Sequence, residues 1–281
     1  MTEVKLKVDY DEYENGVRIT KLIEDLSSQP DSAQLTSLII GDWGQAYENS
    51  SEDVVRSLVE HHDRFPSLRK LFIGDMGFEE CEVSWIVQTD LSPLLAAYPQ
   101  LESFRIKGSN GLALTNLKHE NLKELVIICG GLGSDVLQQI AEASLPQLEH
   151  LELYLGVDEY GFDGGLENLL PLIEPGKFPK LTFLGLKNSE IQDEIAEALA
   201  DAPILDQLET LDLSDGTLSD QGAEALIQSD RIKRLKHLDL HHHYMSDDMV
   251  KRWTETGISV DVSEQEKADD ENDWRYPSIT E

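Results

Sequence analysis

The chain of 281 residues carries 55 Asp and Glu against 23 Lys and Arg, a formal net charge of −32, and 40% of it is hydrophobic, enough for a substantial core. Phosphate binding needs clustered cations, so this balance argues against a nucleic-acid or anionic-membrane surface and leaves solubility or a basic protein partner as its meaning. No stretch approaches the ~20 apolar residues of a membrane span. The two cysteines, Cys81 and Cys129, are too few for a disulfide framework; they point to a reducing, cytoplasmic compartment, with a single Cys81–Cys129 bridge as the alternative.

In chain order, "MTEVKLKVDYDEYENG" alternates apolar and charged residues and lacks the apolar segment of a secretory signal. Its "VKLKV", with the helix-like "VRITKLIEDL" that is apolar at Ile19, Leu22, Ile23 and Leu26, is expected to form an N-terminal cap over residues 1–34. From Leu35 the pattern L-x-x-L-x-L then occurs eight times, starting at Leu35, Leu68, Leu101, Leu122, Leu148, Leu181, Leu208 and Leu235. Every pattern position is Leu or Ile except Phe104, and successive starts lie 33, 33, 21, 26, 33, 27 and 27 residues apart. Side chains alternate along a strand, so the fourth and sixth positions share one face and make a core stripe, while positions three, five and seven share the other.

After most strands a helix start is legible. Ser51, Ser134, Ser219 and Ser246 each precede an acidic residue and an apolar run, as N-caps do, and "DEIAEALADA" at 193–202 belongs to the same set. Pro66, Pro99, Pro146 and Pro179 each stand two residues before a repeat's first Leu, where they stop a helix and favour extended chain. The next apolar anchor follows at Leu132, Ile191 and Leu218, with Phe78 and Met245 as looser equivalents. At the far end "ISVDV", residues 258–262, is expected to close the sheet as a ninth strand, and residues 263–281 form an acidic tail whose contacts would run through Trp274 or Tyr276.

The segment "LETLDLSDGTLSDQGAEALIQ" resembles the ribonuclease-inhibitor-like class of leucine-rich repeat, and the resemblance extends over about residues 35–262. More narrowly, "LFIGDMGFEECEVSWI" is similar to a small family of bacterial cytoplasmic leucine-rich-repeat proteins that carries no assigned activity. The resemblance implies an α/β horseshoe solenoid with a parallel concave sheet of about eight to nine strands and convex helices. Many such repeats place Asn at position nine to bond the turn backbone; here that position holds Met76, Ser109, Gly130, Gly156, Ser189, Gly216 and His243.

Candidate sites follow from the register. Position five runs Ile39, Phe72, Arg105, Val126, Glu152, Gly185, Asp212, Asp239, and position seven runs Gly41, Gly74, Lys107, Ile128, Tyr154, Lys187, Ser214, His241, so the front face is apolar and the back polar to acidic. In "HLDLHHHYMSDDM", His237, Asp239 and His241 point from one side of one strand. His237 and His241 lie ~13 Å apart along it, too far to ligate one zinc ion, whereas Asp239 with Asp212 and one histidine is a sterically possible metal set. In "GDMGFEECEVSW", Asp75, Glu79 and Trp85 would form a lip over the groove; the competing reading makes Gly74 and Asp75, like Gly41 and Asp42, a tight turn whose Asp bonds local backbone. "CGGLGSD" at 129–135 reads as a turn, with an anion site at the following helix as the minor alternative. Phosphate-loop, nucleophile-elbow, H-E-x-x-H and C-x-x-C signatures are missing. The expected function is therefore non-catalytic protein recognition without a cofactor, through Phe72, Asp75, Glu79, Trp85, Arg105, Tyr154, Asp212, His237, Asp239 and His241. An enzyme or metal-dependent activity built on the loop and concave-face carboxylates and histidines is the alternative.

Overall fold

The computed structural model describes residues 2–269 and 274–280, and its chain divides into two compact units, Met1–Ile128 with Gln138–Leu148 and Cys129–Leu137 with Glu149–Thr280. The parts of the acidic tail at 270–273 and 281 lie outside the described residues.

In the first unit β1 (Glu3–Val8), β2 (Ser37–Trp43), β3 (Lys70–Ile73), β4 (Ser103–Lys107) and β5 (Glu124–Ile128) pair in parallel, each beside the next in sequence. The helices α1 (Tyr10–Glu14), α2 (Ile19–Ser27), α3 (Glu52–Glu60) and α4 (Ser92–Ala97) connect them, and α5 (Ser134–Glu142) has residues in both units. The second unit repeats the scheme with β6 (His150–Gly156), α6 (Leu166–Leu169), β7 (Phe183–Ser189), α7 (Gln192–Ala200), β8 (Thr210–Asp212), α8 (Asp220–Gln228), β9 (His237–Asp239), α9 (Asp247–Glu255) and β10 (Val260–Asp261), again parallel and in sequence order. The predicted α/β repeat architecture is thus present, with "VKLKV" joining the parallel ladder as β1 and the closing strand at β10.

The repeat register explains the pairing. Fourth positions meet fourth positions, as in Leu38↔Leu71↔Phe104↔Leu125 and Leu151↔Leu184↔Leu211↔Leu238. Every residue at the first, fourth and sixth positions of the eight repeats is buried, none more than 8% exposed. Each such side chain contributes about 1.5–3 kcal/mol by leaving water, and a shift of one residue would turn the whole stripe outward.

Turn chemistry departs from Asn but serves the same end. His243 is fully buried; its Nδ1 accepts from the Met245 amide at 3.1 Å, so the proton resides on Nε2, which donates to the Val262 carbonyl at 3.0 Å. His119 does the same in the first unit, accepting from Asn121 and donating to Tyr98. Burial lowers the pKa of both imidazoles and keeps them neutral.

Three expectations need correcting. Ser219 and Ser246 cap their helices through Gln221 and Met249, but the Ser51 hydroxyl is buried and makes no cap bond. The amide of Ser134 is taken instead by Asp163, reaching from the next repeat. Phe78 is not an anchor: it is 66% exposed, while Met76, Cys81 and Val83, near it in sequence, are the buried residues. Cys81 and Cys129 are both buried free thiols, so the bridge alternative falls away.

Candidate functional site

In the first unit β3 and β4 place Phe72 and Arg105 opposite each other, the guanidinium carbon 5.4 Å from the ring centroid. Both are half-buried, and Arg105 Nε is enclosed without a hydrogen-bond partner. Lys5 and Lys7 of β1 project on this face too. Lys5 Nζ donates to the carboxylate and carbonyl of Asp75, both at 2.8 Å, and Lys7 holds Glu80 at 2.7 Å. The hydrogen bond to Lys7 keeps the Glu80 carboxyl below its usual range. Lys107 Nζ donates to the Met76 carbonyl at 2.6 Å. These lysines fix the loop from Gly74 to Glu80, and they explain two glycines: a Cβ on Gly41 of β2 would come within 3.1 Å of Lys5, and Gly74 has φ +92 with the Lys107 carbonyl 2.5 Å from where a Cβ would sit.

The reading of aspartates as local turn ligands therefore holds at Asp42, which accepts from Gly44 and Ala46, and fails at Asp75, which pairs across strands with Lys5. Within the loop Phe78 and Glu79 are exposed, and Trp85, five residues after it, is 57% exposed. The enclosed Cys81 gains no nucleophilic character from its acidic neighbours, since burial, then Asp42 and Glu82, push the thiol up to about 11.

In the second unit the acidic end of the face is folded inward. Lys187, opposite Tyr154 in the register, is 6% exposed; its Nζ lies 3.0 Å from Asp212, 3.2 Å from Asp215 and 3.8 Å from Glu152, and 5.0 Å from the Tyr154 ring centroid. Burial opposes the lysine charge, but Asp212, Tyr154 and Asp215 outweigh it and raise the pKa. Burial likewise pushes the Tyr154 phenol up to about 12. Asp212 is only 5% exposed and also accepts from the Ser214 amide and hydroxyl. The expectation that Asp212 faces solvent is thus wrong: strand alternation sets which side a residue leaves from, and a lysine one strand away closes over it.

The ionic chain continues. His241 Nδ1 contacts Asp239 at 2.7 Å and Nε2 approaches Asp215 at 3.3 Å. Burial works against the imidazolium here, yet Asp239 and Asp215 together raise its pKa. His237 turns away to Ser259, 3.0 Å from its Nδ1, so the two histidines do not converge, in keeping with their spacing. The set that does converge is Asp239, His241 and Asp261, whose donor atoms lie within 4.8 Å of one another. Asp261, on β10, replaces the Asp212 of the sequence reading, which Lys187 has taken. Two carboxylates and an imidazole suit a divalent cation in kind, but His241 Nδ1 and Asp239 already engage each other and Asp261 accepts from the Ser263 amide.

Sequence reasoning passed over Lys187, although it is the lone lysine or arginine in the back half of the two face columns, between Glu152 and Asp212. It also passed over Phe78, which the anchor rule assigned to the core. The "CGGLGSD" turn is a turn: Gly131 pairs with Gly156, a Cβ on it would lie 2.4 Å from Tyr160 backbone, and Asp163 occupies the helix amide an anion would need. No helix of the described residues is long and apolar enough to cross a membrane.

A leucine-rich-repeat family profile matches residues 208–226. A crystal structure of a Bacteroides fragilis protein superposes with a TM-score of 0.91 at 37% identity, covering 99% of this chain and 77% of that one. A Listeria monocytogenes internalin gives a TM-score of 0.39 at 16% identity over 86% of this chain and 65% of that one. No functionally curated protein matches.

Proposed function

We propose, from the premise that this chain belongs to the leucine-rich-repeat family of the Bacteroides fragilis protein, that it is a non-catalytic module for binding another protein. In this reading residues 1–34 cap a solenoid spanning 35–262, residues 263–281 are its acidic tail, and the protein works in the cytoplasm. The binding surface is the sheet face: Phe72, Asp75, Glu79, Trp85 and Arg105 in the first unit, and Tyr154, His237, Asp239 and His241 in the second, with Asp212 acting only through Lys187. The observation that carries this is the pair of exposed aromatics, Phe78 at 66% and Trp85 at 57%, the first between and the second just after Asp75 and Glu80, which Lys5 and Lys7 pin. Large apolar side chains kept in water by a fixed loop are what a partner's pocket buries most profitably.

The net charge of −32 favours a partner with a basic surface over nucleic acid or an anionic membrane. Catalysis gains no support from the geometry, since Asp75 and Glu80 are paired with lysines and Cys81 stays protonated. The test is capture of partners on the immobilised full chain, with identification by mass spectrometry, followed by kinetics against the recovered partner. Phe78→Ala with Trp85→Ala should speed dissociation by about tenfold or more, and rising salt should slow association. Unchanged dissociation in the double variant would move the interface elsewhere.

A further inference from the structure

Residues 274–280 lie along the second unit, and repeat side chains grip their main chain. Asn188 donates through Nδ2 to the Ile279 carbonyl at 2.6 Å and accepts through Oδ1 from the Ile279 amide at 2.8 Å. The Tyr244 hydroxyl does the same for Tyr276, accepting from its amide and donating to its carbonyl, both at 2.9 Å. His242 Nε2 lies 3.2 Å from that Tyr276 carbonyl, and the Asp215 carbonyl accepts from the Ser278 amide at 2.8 Å.

Asn188, Asp215 and His242 are the eighth residues of three successive repeats, and all three have left-handed backbone, with φ of 55°, 63° and 52°. They form a row at the ends of β7, β8 and β9. Successive steps across parallel strands measure about 4.8 Å. The segment crosses the row in order, with Tyr276 at His242, Ser278, where the chain bends, at Asp215 and Ile279 at Asn188. The row therefore offers one peptide main chain a polar contact at each of three successive strand ends.

Little of the segment's own identity is used. Pro277 is buried, whereas Trp274 and Tyr276 are 60% and 52% exposed, and Ser278 is exposed. Arg275 adds one charged contact, 3.3 Å from Asp193. A tail fastened for stability alone would bury its aromatics; this one offers main chain, a proline ring and an arginine to a site that reads those features.

We propose that this row is a peptide-binding site, filled in cis by the protein's own 274–280 segment, and that its ligand in trans is a partner segment with a basic residue two positions before a proline and a small polar residue after it. The partner must displace the tail. Because the tail is tethered, it competes at a local concentration on the order of millimolar, so the intact chain is largely closed to such ligands. The inference concerns the strand ends rather than the sheet face, and stands apart from the function proposed above.

The test uses the full chain and a fluorescein-labelled peptide of sequence WRYPSIT, followed by fluorescence anisotropy. Pro277→Glu in the full chain removes the one buried side chain of the tail, and hydrogen exchange at Ser278 and Ile279 should then rise. That variant should take up the labelled peptide at least tenfold more tightly than the parent. Adding Asn188→Gly, which keeps the left-handed backbone but deletes the clamp, should cost at least tenfold in affinity while leaving the melting temperature close to that of the Pro277→Glu chain. The proposal is overturned if the tail amides stay protected in Pro277→Glu, if the released chain takes up no peptide, or if parent and variant bind it equally. It is also overturned if sizing shows the parent exchanging tails between two copies. The peptide alone is the probe, so failure here leaves the sheet-face reading standing, and failure of that reading leaves this one intact.

Discussion

The faces of the two units carry charge in opposite ways. In the first, Lys5 and Lys7 reach over the surface to Asp75 and Glu80, and these pairs stay wet, with side chains 31–50% exposed. In the second, Lys187 is drawn between Asp212 and Asp215 and all three side chains are at most 14% exposed. Exposed pairs contribute about 0–1 kcal/mol, whereas removing one partner of a buried pair costs about 3–5 kcal/mol. Asp75 and Asp215, each the eighth residue of its repeat, are thus wet in one unit and interior in the other. The neighbouring strand decides, and an acidic count along the chain says nothing of which carboxylates a partner can reach.

The largest effect expected is from Leu211→Asp, which puts a charge at a fully buried point of the repeat stripe with no cation beside it; a loss of several kcal/mol in chemical denaturation would follow, enough to unfold the second unit. Next, Lys187→Met should cost about 3 kcal/mol by stranding Asp212 and Asp215, and adding Asp212→Leu should recover part of it, while Lys5→Met in the first unit should cost less than about 1 kcal/mol. Equal losses from the two lysine variants would erase the contrast between the faces.

Acid sharpens the comparison further. His119 and His243 have pKa values lowered by burial, so the stability they give is complete above about pH 6.5, where the unfolded imidazole is neutral, and is lost as pH falls below it. His241 has a raised pKa and acts in the opposite sense: its contribution is complete below about pH 6.5 and is lost as pH rises through the folded value. Melting followed from pH 8 to pH 5 should show His243→Asn less sensitive to acid than the parent and His241→Gln more sensitive; matching slopes for all three would refute the assignments. The smallest effect concerns cations. Zinc or manganese in modest excess should shift melting by less than about 1 °C, and a saturable rise abolished by Asp239→Ala would show that Asp239, His241 and Asp261 hold an ion.

The strand register was legible residue by residue, because a stripe of Leu and Ile at the fourth and sixth positions admits one pairing, and Leu211 lies where it was expected. Depth was not legible. Asp212 leaves its strand on the predicted side and is still buried, since its cover comes from Lys187, 25 residues away in sequence. The tail shows the same limit in reverse. Trp274 and Tyr276 suggested docking by aromatic side chains, and the structure holds the main chain of Tyr276 and Ile279 instead, through Asn188, His242 and Tyr244. Main-chain recognition leaves no mark in the composition of the segment it holds.

The unequal lengths of the first and last strands bear on assembly. A stack of similar parallel strands invites another chain to continue it, head to tail, into an open filament. Here β1 has six residues and β10 has two, and beyond β10 the chain still accepts the His242 amide at the Ser263 carbonyl before Glu264, with φ +57, breaks its regularity. A copy approaching end-on would meet a regular strand of two residues on one edge and of six on the other. Unequal edges of this kind match each other poorly, which disfavours end-to-end growth.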